Sequence, residues 1–125
     1  MRFQESVNVL HGQVKEFFSI QRRAGKVVAG LGAAAKGNTL INFLRLDKND
    51  IQCVFDSASS KQGKFLPGSH IPIHHLGSLR EFSDINTLVV LPWNIASELA
   101  QEVSTLTAAR PPIYRLLPRI ELINY

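Results

Sequence analysis

A glycine-rich segment directly after an apolar run constrains the fold more than any other feature of this sequence. The apolar run, residues 26–31, is typical of a short buried strand, and it continues into Gly30-Leu31-Gly32-Ala33-Ala34-Ala35-Lys36-Gly37. Apolar residues at helical spacing come next, at Leu40, Ile41 and Leu44. A strand that turns through glycines into a helix favours an α/β domain, in which the amides of the first helical turn can bind an anion.

The remaining segments continue the alternation of strands and helices. Apolar runs predict further strands at residues 51–55, 71–73 and 86–91, and one or two final strands at residues 113–117 and 120–123. The segment that contains Pro72 must be short or an edge strand. Helical spacing predicts helices at residues 3–21, 76–81 and after Asn94. We therefore expect a Rossmann-like, mostly parallel sheet with flanking helices, preceded by an N-terminal amphipathic helix. Residues 1–125 should form a single domain, with a leading helix at 1–22 and an α/β core at 26–125.

Composition excludes several classes of protein. The formal charge of +4 is spread over the 125 residues, so no basic block indicates a nucleic-acid partner. The single cysteine, Cys53, cannot form a disulfide framework, and it is expected to be a small buried hydrophobic residue. No apolar stretch approaches the roughly 20 residues that span a bilayer. We expect a cytoplasmic protein with no membrane partner.

The glycine-rich segment has the pattern of a phosphate-binding turn. Gly30 and Gly32 let the backbone approach a phosphate, and by spacing the third small residue is Ala33 or Ala35. Asp56 lies at the end of the second strand, and its distance in sequence from Gly32 is close to the roughly 20 residues expected for an acid that binds ribose. Lys36 either adds a charge to a bound pyrophosphate or lies in solvent. The alternative is a turn that serves packing alone.

Four blocks of the sequence resemble, in the same order, the C-terminal domain of S-adenosylmethionine-dependent sugar C-methyltransferases. They are GLGAAAKGNT at residues 30–39, Asp56, KQGKFLPGSHIPI at residues 61–73, and LPWN at residues 91–94. The sequence departs from the family at Leu31, where a tyrosine is usual, and at Ser57-Ala58, where Asn-Pro is common. The resemblance covers nearly the whole chain, and the opening helix is similar to the family's connecting helix.

The resemblance implies that the domain helps to hold a nucleoside-diphosphate sugar. In the full-length family, zinc-binding and S-adenosylmethionine-binding domains come first, so neither a cofactor nor methyl transfer is expected of this domain alone. A methyltransferase catalytic domain or a second copy of the chain is a possible partner. Two alternatives are an independent small nucleotide-dependent enzyme, for which no catalytic residue can be placed, and a protein-interaction module that docks through the N-terminal helix.

Several side chains carry two interpretations each. Lys61 and Lys64 either close over phosphates or lie in a solvated loop, and His70 either contacts the ligand or braces the loop. Trp93 either stacks on a base or anchors its loop, whereas Asn94 is mainly a helix cap. His74 and His75 would point to opposite sides of an extended segment, so no metal site is expected. The predicted ligand-binding residues are Gly30, Gly32, Ala33, Ala34, Lys36, Gly37, Asn38, Asp56, Lys61, Lys64, His70, Trp93 and Asn94.

Overall fold

A computed structural model describes residues 3–92, 96–116 and 119–123 of the chain, with the backbone alone at residues 3–7 and 59. The helices are α1 (Phe3–Arg23), α2 (Ala35–Phe43) and α3 (Ala96–Leu106). The strands are β1 (Val28–Leu31), β2 (Val54–Asp56), β3 (Ile73–His75), β4 (Thr87–Val90), β5 (Ile113–Arg115) and β6 (Glu121–Ile123). Two 3-10 helices, Ser59–Lys61 and Leu76–Glu81, complete the elements.

The strands form one six-stranded sheet in the order β3-β2-β1-β4-β5-β6. β1 to β5 are parallel to their neighbours, and β6 is antiparallel to β5. The predicted mostly parallel Rossmann-like sheet is therefore confirmed, and β3 lies at an edge as the position of Pro72 required. The strand order reverses between β1 and β4. Ligands of open α/β sheets bind at this switch point, beyond the carboxyl ends of the strands.

Side chains alternate along the strands and build one core on each face of the sheet. On one face, Val28 and Val89 pack with residues of α1 and α2. On the other, Ala29 and Leu88 pack with α3 and the second 3-10 helix. The sheet is thus covered on both sides, as parallel sheets require, and its carboxyl edge is where a ligand can reach it.

The leading helix belongs to the first of these cores. Val14 and Phe18 of α1 are 0% and 2% exposed, and the Phe17 ring lies 5.0 Å from the ring of Tyr114. The Thr87 hydroxyl also donates a hydrogen bond to the Gln21 side chain. Among the α1 side chains that the structure describes, from residue 8 onward, the apolar stripe therefore packs on the sheet, and a flank with Val9 and Ile20 is exposed and available to the docking alternative.

Element boundaries differ from the sequence prediction mainly at the strands. The strand predicted at 26–31 begins at Val28, and the strand predicted at 51–55 begins at Val54 and ends at Asp56. Hydrogen bonds from Gln52 to Val28 and from Gly30 to Cys53 show that β1 and this segment are already adjacent before β2 begins. In the described ranges, no helix is long and apolar enough to cross a membrane.

Candidate ligand-binding site at the glycine-rich turn

Gly32 makes the turn between β1 and α2, for two independent reasons. Its φ of +83° lies in the left-handed region that side chains disfavour, and a Cβ there would lie 2.6 Å from Cδ of Pro92. Gly30 is also packed by protein, since its Cβ would lie 3.1 Å from a methyl of Val54. Gly32 is therefore required by the fold whether or not a ligand is bound, and Gly30 lies in a tight contact with Val54.

The close contact between α2 and the sheet lies at Gly37. A Cβ at this position would lie 2.6 Å from Cβ of Leu91, in the segment that follows β4. The spacing of the motif placed the small packing residue at Ala33 or Ala35, but Ala35 is exposed and Ala33 is half-buried at the rim of the core. Gly37 therefore allows the helix to approach the sheet closely.

Most amides of the turn already have partners within the protein. The Gly30 and Gly32 amides donate to Cys53 and Phe55, and the Ala34 amide donates to the Gly32 carbonyl. The predicted anion site is consequently narrower than the sequence indicated. The candidate anion site is limited to the first turn of α2, which begins at Ala35. The first turn is the positive end of the helix dipole, which attracts anions. The N-cap residue Ala34 has only a methyl side chain, which cannot accept a hydrogen bond from the amides of this turn.

Asp56 connects the end of β2 to the glycine-rich turn. Its Oδ2 accepts a hydrogen bond of 2.7 Å from the Ala33 amide, and its Oδ1 accepts one of 2.7 Å from the Ala58 amide. The Asp56 side chain is 11% exposed. Two oxygens together offer about four acceptor positions, so Asp56 fixes the turn and retains capacity for a ligand hydroxyl.

Lys61 contacts both the glycine-rich turn and Asp56. Its Nζ donates a 2.9 Å hydrogen bond to the Ala33 carbonyl and lies 3.9 Å from Oδ2 of Asp56. The side chain remains 45% exposed. Lys61 is thus a cation held beside the start of α2 and accessible to an anion from solvent.

Two cavities flank this arrangement, and both are lined by Ala33, Ala34 and Lys61. The first, of about 200 Å³, lies at the carboxyl edge of the sheet, where the strand order reverses. It is also lined by Gly32, Phe55, Asp56, Ser57, Leu76, Pro92 and Leu99. The second, of about 530 Å³, lies between α2 and the segment after β2. It is also lined by Ala35, Asn38, Ser60, Lys64, Phe65, Leu66, Pro67 and Ile73.

The segment that forms the far wall of the second cavity is a well-ordered hairpin. The Leu66 amide donates to the Ile71 carbonyl and the Ile73 amide to the Lys64 carbonyl, each at 2.8 Å. The Asn42 side chain of α2 donates to the Pro67 carbonyl at 2.9 Å. The second half of the segment between β2 and β3 is therefore fixed both to β3 and to α2.

The structure brings seven of the predicted site residues to these cavities: Gly32, Ala33, Ala34, Asn38, Asp56, Lys61 and Lys64. Among the described residues, Gly30 and Gly37 serve packing, and Lys36 is exposed and outside both linings. His70 is also exposed and outside both linings. Its φ of +59° and its ring, 6.5 Å from that of Phe65, favour the loop-brace interpretation. Trp93 and Asn94 lie outside the described residues.

Sequence reasoning missed the apolar members of both linings. Leu76, Leu99 and Phe65 have the hydrophobic spacing of ordinary core residues, and only the folded chain brings them to the turn. Asn38 has a further feature that sequence cannot reveal. Its Oδ1 is buried and accepts no hydrogen bond from the described part of the protein.

The remaining candidate residues have structural roles. The His74 ring packs 5.3 Å from that of Phe82, whereas Nδ1 of His75 accepts a hydrogen bond from the Gly77 amide. Over the described ranges, no three His, Cys, Asp or Glu side chains are grouped as a metal site requires. Cys53 is 1% exposed, as expected of a buried hydrophobic residue, and burial followed by the charge of Asp84 raises the pKa of its thiol to about 12.

Sheet order, glycine-rich turn and acid after β2 together define a Rossmann-like domain with a candidate ligand site at the carboxyl edge of β1. The family model described as the C-methyltransferase C-terminal domain matches residues 1–118, and the chain belongs to this family. It is also 34% identical over 94 residues to C-methyltransferase NovU of Streptomyces niveus. That match spans 72% of this chain but only 21% of the relative, so it corresponds to about a fifth of that protein.

A solved structure independently supports the fold. The UDP-D-quinovosamine 4-dehydrogenase of Vibrio fischeri superposes with a TM-score of 0.56, covering 79% of this chain and 93% of the other. Sequence identity is 15%. This likeness establishes the Rossmann-like fold and is silent on the ligand.

Proposed function

We propose that this domain holds the nucleoside-diphosphate sugar on which a C-methyltransferase acts, with the diphosphate at the start of α2. The observation that carries the proposal is the position of Lys61. Its ammonium group is 2.9 Å from the Ala33 carbonyl, at the junction of two cavities and beside amides that no side chain of Ala34 can cap. A fixed cation next to a helix N-terminus is suited to a diphosphate.

The neighbouring groups suit the sugar portions of such a ligand. Asp56 and Ser57 line the first cavity, and both can accept hydrogen bonds from hydroxyls. Because Asp56 is already held by the Ala33 and Ala58 amides, its orientation is fixed before a ligand arrives. Preorganised acceptors of this kind lose little conformational entropy on binding.

We infer that methyl transfer itself takes place in a domain other than this one. The matched region is 21% of the curated relative, and the family description names this unit as the C-terminal domain of a methyltransferase. The domain would then need no cofactor of its own. S-adenosylmethionine would bind in a catalytic domain that acts on the sugar presented here.

A pair of lysine variants tests the proposal by calorimetric titration with uridine and thymidine diphosphate sugars. Lys61→Met should weaken binding about tenfold, since a charge-assisted contact contributes roughly 1.5 kcal/mol. Lys36→Met is the matched control, because this exposed lysine on α2 lines neither cavity, and we expect a change below about twofold. Lys61→Arg should retain most of the affinity. Equal affinity in Lys61→Met and the wild type would contradict the proposal.

A further inference from the structure

The second cavity has a composition that the diphosphate does not explain. Its volume of about 530 Å³ lies within the usual range of ligand pockets, whereas the first cavity, at about 200 Å³, is below that range. Phe65, Leu66, Pro67 and Ile73 give it an apolar wall, and Lys61 and Lys64 lie on its polar side. A compartment with one apolar wall and one cationic wall fits a planar aromatic group joined to phosphate.

Phe65 is the distinctive residue of that wall. Its side chain is 58% exposed and lines the cavity, so a ligand can reach the ring from solvent. The backbone on both sides is fixed by the bonds from Leu66 to Ile71 and from Ile73 to Lys64. The ring is therefore presented to the cavity by a rigid hairpin, which is the arrangement that favours stacking with a base.

Charge decides which way a nucleotide sugar can lie. Lys61 is shared by both cavities and Lys64 lines the second, while the carboxylate of Asp56 lines the first. A diphosphate is attracted to the lysines and repelled by Asp56. The uncharged hydroxyls of a sugar, in contrast, can donate hydrogen bonds to that carboxylate.

We propose that the nucleobase stacks on Phe65 in the second cavity, with the diphosphate at Lys61 and the sugar that accepts the methyl group in the first cavity, facing Asp56. This inference rests on the proposed function and adds the orientation of the ligand. It assigns Asp56 to the sugar beyond the diphosphate, whereas sequence spacing assigned it to the ribose. Phe65 thereby becomes the residue that selects nucleotides over simple sugar phosphates.

The first test is to locate the base by magnetisation transfer between ligand and protein protons. With uridine diphosphate glucose bound to the wild type, we expect nuclear Overhauser effects between the uracil H5 and H6 protons and the Phe65 ring. Effects from the uracil protons to the methyl groups of Leu76 and Leu99 would place the base in the first cavity and overturn the inference. That result would leave the proposed function intact.

The second test compares ligands with and without a base. Phe65→Ala should weaken the binding of uridine diphosphate roughly 5- to 100-fold, as expected for the loss of one stacking contact. The affinity for inorganic pyrophosphate should be unchanged. Phe65→Tyr should bind like the wild type. Phe43→Ala is the matched control, since Phe43 is 65% exposed on α2 and is not among the residues of the cavity.

Two results would overturn the inference in different ways. If Phe65→Ala leaves uridine diphosphate affinity unchanged while Lys61→Met reduces it, the diphosphate site stands and the base lies elsewhere. If the wild type binds neither uridine diphosphate nor its sugars, the proposed function and the inference both fail.

Discussion

Two helical glycines should respond in opposite directions to the same substitution. Gly→Ala inside a helix ordinarily stabilises a protein by roughly 0.5–1 kcal/mol, because alanine loses less backbone entropy on folding. At Gly12 of α1, no described atom outside the neighbouring backbone lies within 4 Å of the added methyl, so this gain should be realised in full. At Gly37 the methyl would lie 2.6 Å from Cβ of Leu91 and 3.3 Å from its Cα.

The contact at Gly37 is too short to be relieved by a side-chain rotation, because Cβ and Cα of Leu91 belong to the frame of the chain. Forcing a methyl group into a packed core costs roughly 1–3 kcal/mol, which exceeds the helical gain. We therefore expect Gly37→Ala to lower the free energy of unfolding by about 0.5–2 kcal/mol and Gly12→Ala to raise it by about 0.5–1 kcal/mol. The corresponding changes in Tm are about 3–4 °C per kcal/mol for a domain of this size.

Urea denaturation followed by circular dichroism measures both variants on one scale. The comparison controls for helix propensity, since the two substitutions differ only in their surroundings. If Gly37→Ala were as stable as the wild type, α2 could not approach the sheet as closely as described. The explanation of the turn as a site of close packing would then be refuted.

Substitutions at three further positions test other parts of the structure. Burial and the charge of Asp84 raise the pKa of the Cys53 thiol from 9.0 to about 12, so native protein should react with a thiol reagent only after unfolding. Because the native state keeps this proton longer than the unfolded chain, the free energy of unfolding should fall as pH rises from 9 toward 12, less steeply in Cys53→Ala. Asp56→Ala removes the acceptor of the Ala33 and Ala58 amides and should lower the free energy of unfolding by roughly 1–3 kcal/mol. Asp56→Asn should lower it by less. Asn42→Ala removes the hydrogen bond to the Pro67 carbonyl and should lower the free energy of unfolding by roughly 0.5–1.5 kcal/mol. Hydrogen exchange at the Leu66 amide should become faster.

Local sequence patterns predicted the framework of the site well. The apolar run before Gly30, the helical spacing after it and the position of Asp56 depend on neighbouring residues, and all three recur in the structure. The roles of individual groups were harder to predict. Nothing in the sequence shows that the Ala33 amide is directed at Asp56 or that Gly37 lies against Leu91, because these contacts join segments more than 20 residues apart only in the folded chain.

The two glycines of the motif illustrate the same limit. Spacing predicted that Gly32 lets a ligand approach the backbone, yet the space its Cβ would occupy is filled by Pro92. A bulky residue at Gly32 would thus disturb the fold together with any binding, so the lysine pair is the better probe of function. The second cavity escaped prediction because Phe65 has no periodic pattern that separates it from a core residue.

Amide chemical-shift mapping during titration with a thymidine diphosphate sugar is the most direct measurement of whether the glycine-rich turn binds a nucleotide. The proposal predicts saturable shifts at residues 33–38, at Asp56 and at residues 60–66, with the amides of α1 unmoved. Saturable shifts confined to α1 and β6, or none at saturating ligand, would show that the turn serves packing alone and would contradict the proposal.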